Sequence, residues 1–128
     1  MSYGFSKTVD LSFEDALEKV TEELKKEGFG VLTEIDVKAT LKKKLDVDVE
    51  NYKILGACNP PFAYKALTAE PDIGLLLPCN VAVYENKQGE IVVSVIDAKA
   101  MLSVVQRDDI IPIAEEVNNK LKRVIDNV

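Results

Sequence analysis

Residues 79–97 read CNVAVYENKQGEIVVSVID and contain the clearest β-hairpin of the chain. Two strand-like runs, Cys79 to Glu85 and Ile91 to Asp97, flank the turn-forming segment 86–89, which reads NKQG. The two strands of a hairpin are antiparallel, so this segment excludes a purely parallel sheet. Because helical patterns occur on both sides of the hairpin, the sequence indicates a mixed fold of strands and helices.

The segments outside the hairpin predict three more strands, at residues 3–9, 31–35 and 51–58, and several helices. Ser12, Asp36 and Asn59 each stand where a helix-capping residue is expected, and Pro60 follows at a first helical position. A long apolar seam predicts a last helix that begins near residue 108 or 109. The whole chain, 1–128, is therefore predicted to form one α+β domain in two layers. A mostly antiparallel sheet of about five strands would have the first and last helices packed on one face.

The composition excludes several classes of partner. The chain has 47% hydrophobic and 30% charged residues, a composition typical of a globular protein. Its net charge of -6 is unfavourable for binding nucleic acid or anionic lipid. The N-terminus has no signal-like pattern, and no apolar run approaches the length of a membrane span. We therefore expect a cytoplasmic protein with no nucleic-acid or membrane partner, whose two cysteines stay reduced.

Two cysteines are the most informative candidates for chemistry. Cys58 precedes the helix start at Asn59, where the end of a helix stabilises an anion, so the pattern allows a nucleophilic, redox-active or metal-binding thiolate. Cys79 precedes Asn80 at the start of the next strand. The alternative is that both thiols simply pack as small hydrophobic groups. If the two strands are antiparallel neighbours, the cysteines lie at the same end of the sheet.

The absence of histidine narrows the possible reactions. Histidine-dependent triads and histidine-ligated zinc are ruled out, and a soft metal at Cys58 and Cys79 would need further carboxylate, water or partner ligands. A cysteine-dependent enzyme would draw its assisting groups from four nearby candidates. These are Tyr64, Lys65, Asp97 and Lys99.

Three segments of the chain together resemble the domain of unknown function family 302. They are residues 28–37, which begin GFGVL, residues 52–60, which read YKILGACNP, and residues 76–81, which read LLPCNV. The resemblance implies a single α+β domain with a helix-backed antiparallel sheet, similar in layout to the TATA-binding-protein-like folds. It further implies a small bacterial or archaeal protein that forms a homodimer, and it leaves the activity and any cofactor open.

Three functional hypotheses follow from these observations. In the first, a cleft around Cys58, Asn59, Cys79 and Asn80 binds or senses a small ligand, a thiol-reactive species or a soft metal. In the second, the same cleft holds a cysteine-dependent enzyme. In the third, the protein is a structural homodimer with inert cysteines, and the apolar stretch 98–105 supplies part of the contact.

Overall fold

The computed structural model describes all 128 residues and contains one five-stranded sheet. Its strands lie in the spatial order first, fifth, fourth, third, second, and every neighbouring pair is antiparallel. The predicted α+β class with a mostly antiparallel sheet of about five strands is confirmed. The strands are β1 Gly4–Val9, β2 Gly30–Asp36, β3 Tyr52–Cys58, β4 Cys79–Glu85 and β5 Ile91–Ile96.

Five α-helices and two short 3₁₀ segments connect the strands. The 3₁₀ segments are Pro71–Leu76 and Ser103–Val105. No helix combines the length and the apolar character needed to cross a membrane. The helices are α1 Phe13–Lys26, α2 Val37–Leu45, α3 Pro60–Ala69, α4 Ala98–Leu102 and α5 Ile111–Asn127.

Local hydrogen bonds explain where the first two helices begin. The Ser12 hydroxyl accepts a hydrogen bond from the Asp15 amide over 3.1 Å, and the Asp36 carboxylate accepts one from the Ala39 amide over 2.9 Å. Each contact satisfies an amide that has no partner within its own helix. Both predicted caps are confirmed.

Helices α1 and α5 pack against one face of the sheet, which we call the inner face. Val20 and Leu24 of α1 and Leu121 of α5 are fully buried, and they share one core with Val81 and Val93 of the central strands. Full burial of a side chain of this size stabilises a fold by about 1.5–3 kcal/mol. The expected packing of the first and last helices on one face of the sheet is confirmed.

The structure differs from the sequence expectations near the last helix. Helix α5 begins at Ile111 instead of residue 108 or 109, which places Pro112 at the very start of the helix, where its missing amide hydrogen costs no helical hydrogen bond. The preceding stretch 98–105 buries Ala98 and Leu102 within the protein, and α4 packs on α5. Most apolar side chains of the stretch 98–105 therefore pack inside the protein, so this stretch gives little support to a dimer contact.

Candidate functional site

The two cysteines lie at the same end of neighbouring strands. Cys79, at the start of β4, stands directly opposite Ala57 in the ladder with β3, and Cys58 is the next residue along β3. Both thiols are free. The predicted adjacency is confirmed, because the segment between the strands runs out through α3 and returns through the 3₁₀ segment 71–76.

Both cysteines border a cavity of about 310 Å³. Its floor is the end of the sheet at Ala57, Cys58 and Cys79, and helix α3 contributes Phe62 and Ala63 to one wall. This volume lies at the lower end of the range of small-molecule sites, roughly 300–1,000 Å³. The other lining residues come from β2 and the residue before it, from α3 and the residue before it, from the segment 71–79, and from α4 and α5: Phe29, Leu32, Thr33, Asn59, Ala66, Leu67, Gly74, Leu77, Pro78, Leu102, Ile113 and Val117.

Two exposed leucines border the cavity where it reaches solvent. Leu32 is 68% exposed and Leu67 is 40% exposed, and both belong to the lining. Leu32 lies at an irregularity in β2, because the pairing with β3 shifts between Val31 and Thr33. A bulge of this kind redirects a side chain away from the regular alternation of a strand. The mouth of the cavity is therefore apolar as well as its walls.

The cavity carries no formal charge. None of its seventeen lining residues is Asp, Glu, Lys or Arg. Burial raises the pKa of the Cys79 thiol to about 11, and the neighbouring Cys58 adds to that effect. Cys79 is therefore a neutral thiol at physiological pH, which makes it a poor nucleophile and a poor metal ligand.

Cys58 is more accessible than Cys79, but the start of helix α3 does little to stabilise a thiolate at this position. Cys58 is half-buried. Helix α3 begins with Pro60 and Pro61, which have no amide hydrogen, so the first turn lacks two of the donors that would stabilise a thiolate. The sequence contained this signal, and it weakens the argument for an activated thiolate at Cys58.

Asn59 has a structural role that the sequence analysis missed. It occupies the capping position of α3, but its side chain makes no capping hydrogen bond. Instead, Asn59 Nδ2 donates to the carbonyl oxygen of Glu27 over 3.1 Å. The predicted side-chain cap is wrong: the amide is oriented by its bond to the carbonyl at the end of α1, and Pro61 has no amide hydrogen for the Asn59 side-chain oxygen to accept. Asn59 lines the cavity with one of its two amide hydrogens already bound to Glu27.

Asn80 does not reach the cavity. It follows Cys79 in β4, and successive side chains of a strand point to opposite faces. Asn80 is therefore exposed on the face of the sheet away from α1 and α5, which we call the outer face, and it is not among the lining residues. The structure brings Cys58, Asn59 and Cys79 together and separates Asn80 from them.

The four residues considered as assistants in an enzyme lie outside the lining of the cavity. Tyr64 is 73% exposed, and the Lys65 ammonium lies 5.7 Å from the centre of the Phe62 ring. Asp97 accepts hydrogen bonds from the Ala100 amide and from Asn118 Nδ2. Lys99 lies 3.9 Å from Glu115. No carboxylate or ammonium group is therefore placed to exchange protons inside the cavity.

The two thiols also lack companions for a metal ion. No three Cys, Asp or Glu side chains lie close enough together anywhere in the structure to hold one. A structural zinc site has four protein ligands, and its thiols must lose their protons. A metal between Cys58 and Cys79 would need two further ligands from water or from another chain.

Comparison with known proteins identifies the family. A family model described as domain of unknown function DUF302 matches residues 5–128. The chain belongs to the DUF302 family. A crystal structure of an uncharacterized conserved DUF302 protein from Bacillus stearothermophilus is similar, with 26% sequence identity and a TM-score of 0.91 over 99% of this chain and 98% of that one. A comparison with curated proteins found no match.

The three segments that carry the DUF302 resemblance meet at the cavity. Nine lining residues come from them: Phe29, Leu32, Thr33, Ala57, Cys58, Asn59, Leu77, Pro78 and Cys79. The remaining walls come mainly from α3 and α5, and the sequence analysis did not predict them. Their one signal was that α3 carries apolar residues on more than one side, which is typical of a helix with two packing surfaces.

Proposed function

We propose that this DUF302 domain binds an uncharged, apolar small molecule in the cavity beside Cys58 and Cys79. One observation carries the proposal: a cavity of about 310 Å³ without a charged lining residue opens beside two exposed leucines, Leu32 and Leu67. Such a site has nothing to pair with a phosphate or a carboxylate, and burying an ionic group there would be costly. The apolar lining of the cavity instead favours a ligand whose own apolar surface is stabilised by removal from water.

The expected affinity follows from the apolar area that a ligand can bury. A molecule that loses about 200 Å² of apolar surface gains about 5 kcal/mol at about 25 cal/mol per Å². Part of that gain is offset by the lost freedom of the ligand. We therefore expect dissociation constants from about 0.2 mM to a few mM for simple probes.

The cysteines give this site a second property. The half-buried Cys58 thiol borders the cavity, so an apolar electrophile that enters would meet it before it meets the buried Cys79. Both thiols would stay reduced if the protein works in the cytoplasm, as its composition suggests. The proposed module could then report thiol-reactive compounds through Cys58 while Cys79 remains part of the wall.

Binding of indole and 1-octanol tests the proposal. Titration of the isotopically labelled protein with each probe, followed by amide NMR, should give saturable shifts at Leu32, Cys58 and Phe62. Ala63→Phe should weaken binding at least tenfold, because the added ring fills the cavity. Ala39→Phe places the same ring on the exposed surface of α2 and should leave binding unchanged. Failure of both probes to saturate below 10 mM would refute the proposal.

A further inference from the structure

The outer face of the sheet has an unusual composition. The strand register places sixteen residues on it, and none of them is charged. Across the whole chain, 30% of residues are charged. The outer-face residues are Gly4, Ser6, Thr8, Gly30, Thr33, Ile35, Tyr52, Ile54, Gly56, Cys58, Asn80, Ala82, Tyr84, Val92, Ser94 and Ile96.

The charged residues of the strands all lie on the other side. Their positions in the ladders alternate with the outer-face positions, so they lie on the inner face, although Glu34 and Asp36 in the edge strand β2 remain exposed there. A sheet with one face on the core and one in water normally carries its charged side chains on the face in water. The five charged residues of the strands are Lys7, Glu34, Asp36, Lys53 and Glu85.

The outer face is nevertheless accessible. Ser6, Thr8 and Asn80 are exposed, and Ile35 is 50% exposed. Tyr52 and Tyr84 stack across neighbouring strands with their ring centres 5.1 Å apart. An accessible face that avoids charge and carries Ile and Tyr side chains has the composition of the buried core of a protein interface.

The charges distinguish between the possible occupants. Tyrosines on an open sheet could stack on the bases of a nucleic acid, but such surfaces also need lysines or arginines to neutralise phosphates. The outer face has none, and the chain carries a net charge of -6. A second copy carries the same net charge, so two copies can meet only through a surface where like charges do not face each other.

We propose that the outer face is the contact surface between two copies of this chain. The two sheets would pack face to face about a twofold axis, so that each neutral face covers the other. Gly4, Ser6, Ala82 and Ser94 are small, which allows two sheets to approach to the usual separation of about 10 Å. This surface replaces the stretch 98–105 as the expected site of contact in a homodimer.

Introduction of a charge on the outer face tests the proposal. Light scattering should show the wild-type protein at about 28 kDa, twice the 14.1 kDa of the chain. Asn80→Glu puts one carboxylate on each facing surface and should raise the dimer dissociation constant at least 100-fold. Val104→Glu, at a 68% exposed residue in the stretch 98–105, should leave the dimer intact.

Other outcomes would overturn the proposal. A wild-type protein that stays at 14 kDa at 500 µM forms no such dimer. Dissociation by Val104→Glu but not by Asn80→Glu would place the contact on the stretch 98–105. If melting curves show that Asn80→Glu does not fold, Ser6→Glu replaces it, because Ser6 is also exposed on the outer face. A folded Ser6→Glu variant that remains dimeric would then contradict the proposal.

Discussion

Asn59 Nδ2 donates a hydrogen bond to the carbonyl oxygen of Glu27 over 3.1 Å and so joins the start of α3 to the end of α1. Asn59 is buried, and the chain turns next to this contact at Gly28, whose φ is +85°. The hydrogen bond therefore holds the wall of the cavity formed by α3 in place. It satisfies a carbonyl that lies beyond the last turn of α1.

Two asparagines that look alike in the sequence should respond differently to truncation. Asn59→Ala removes the only hydrogen bond of a buried amide and should lower the free energy of unfolding by about 1–2 kcal/mol. Asn80→Ala removes an exposed amide and should change it by less than about 0.5 kcal/mol. Urea denaturation of both variants measures the difference. Equal effects would show that the Glu27 contact contributes nothing.

The two cysteines should also differ when each is replaced by serine. Cys79→Ser puts a hydroxyl into the buried side of β4 among apolar neighbours and should cost about 1–3 kcal/mol. Cys58→Ser changes a half-buried side chain that borders the cavity and should cost less than about 1 kcal/mol. Thermal denaturation of the two variants decides the matter. A larger loss for Cys58→Ser would contradict the burial described above.

The raised pKa of Cys79 predicts a loss of stability in alkaline solution. The unfolded thiol gives up its proton near pH 9, whereas the folded thiol keeps it until its pKa of about 11. Between these values the unfolded state binds fewer protons, so the free energy of unfolding falls as the pH rises, by roughly 2 kcal/mol at pH 10.5. Below pH 8 this contribution is fully present.

Comparison with Cys79→Ala isolates this effect from the titration of lysines and tyrosines. The difference in stability between the wild-type protein and Cys79→Ala should shrink from pH 8 to pH 10.5. The same comparison with Cys58→Ala provides the control for the other thiol. A difference for Cys79→Ala that stays constant over this range would show that the Cys79 thiol titrates normally.

Gly56 is required because two side chains of the cavity rim pack directly on it. A Cβ at this position would collide with the Thr33 side chain and would lie 2.7 Å from Cγ of Pro78. Gly56→Ala should therefore cost about 1–3 kcal/mol through displacement of both residues. Gly30→Ala, in the neighbouring strand, meets no atom within 4 Å and should be nearly neutral. Denaturation curves that show equal stability for both variants would contradict this packing.

The sequence predicted those features that depend on local contacts. Ser12 and Asp36 cap their helices through amides three residues away, so their roles follow from short patterns. The partner of Asn59 is Glu27, which lies 32 residues away along the chain, and no local pattern indicates it. The sequence also placed Cys58 and Cys79 together, because the segment between them predicts two helical pieces that run out and back.

The cavity itself could not be predicted from the sequence. It forms where α3 and α5 approach the end of the sheet, and the volume left between them depends on tertiary packing. One correction was available from the sequence: Cys79 and Asn80 are adjacent in a strand and so face opposite sides. Cys58 alternates to the same face as Asn80, but it is the last residue of β3 and borders the cavity, whereas Asn80 does not.

Protection of the Cys58 thiol by an apolar probe tests the proposed binding function most directly. The rate of Cys58 alkylation by N-ethylmaleimide is measured by mass spectrometry with and without saturating indole, with Ala63→Phe and Ala39→Phe as the matched variants. We expect indole to slow the reaction at least fivefold in the wild-type protein and in Ala39→Phe, but not in Ala63→Phe. An alkylation rate in the wild-type protein that is the same with and without indole would contradict the account.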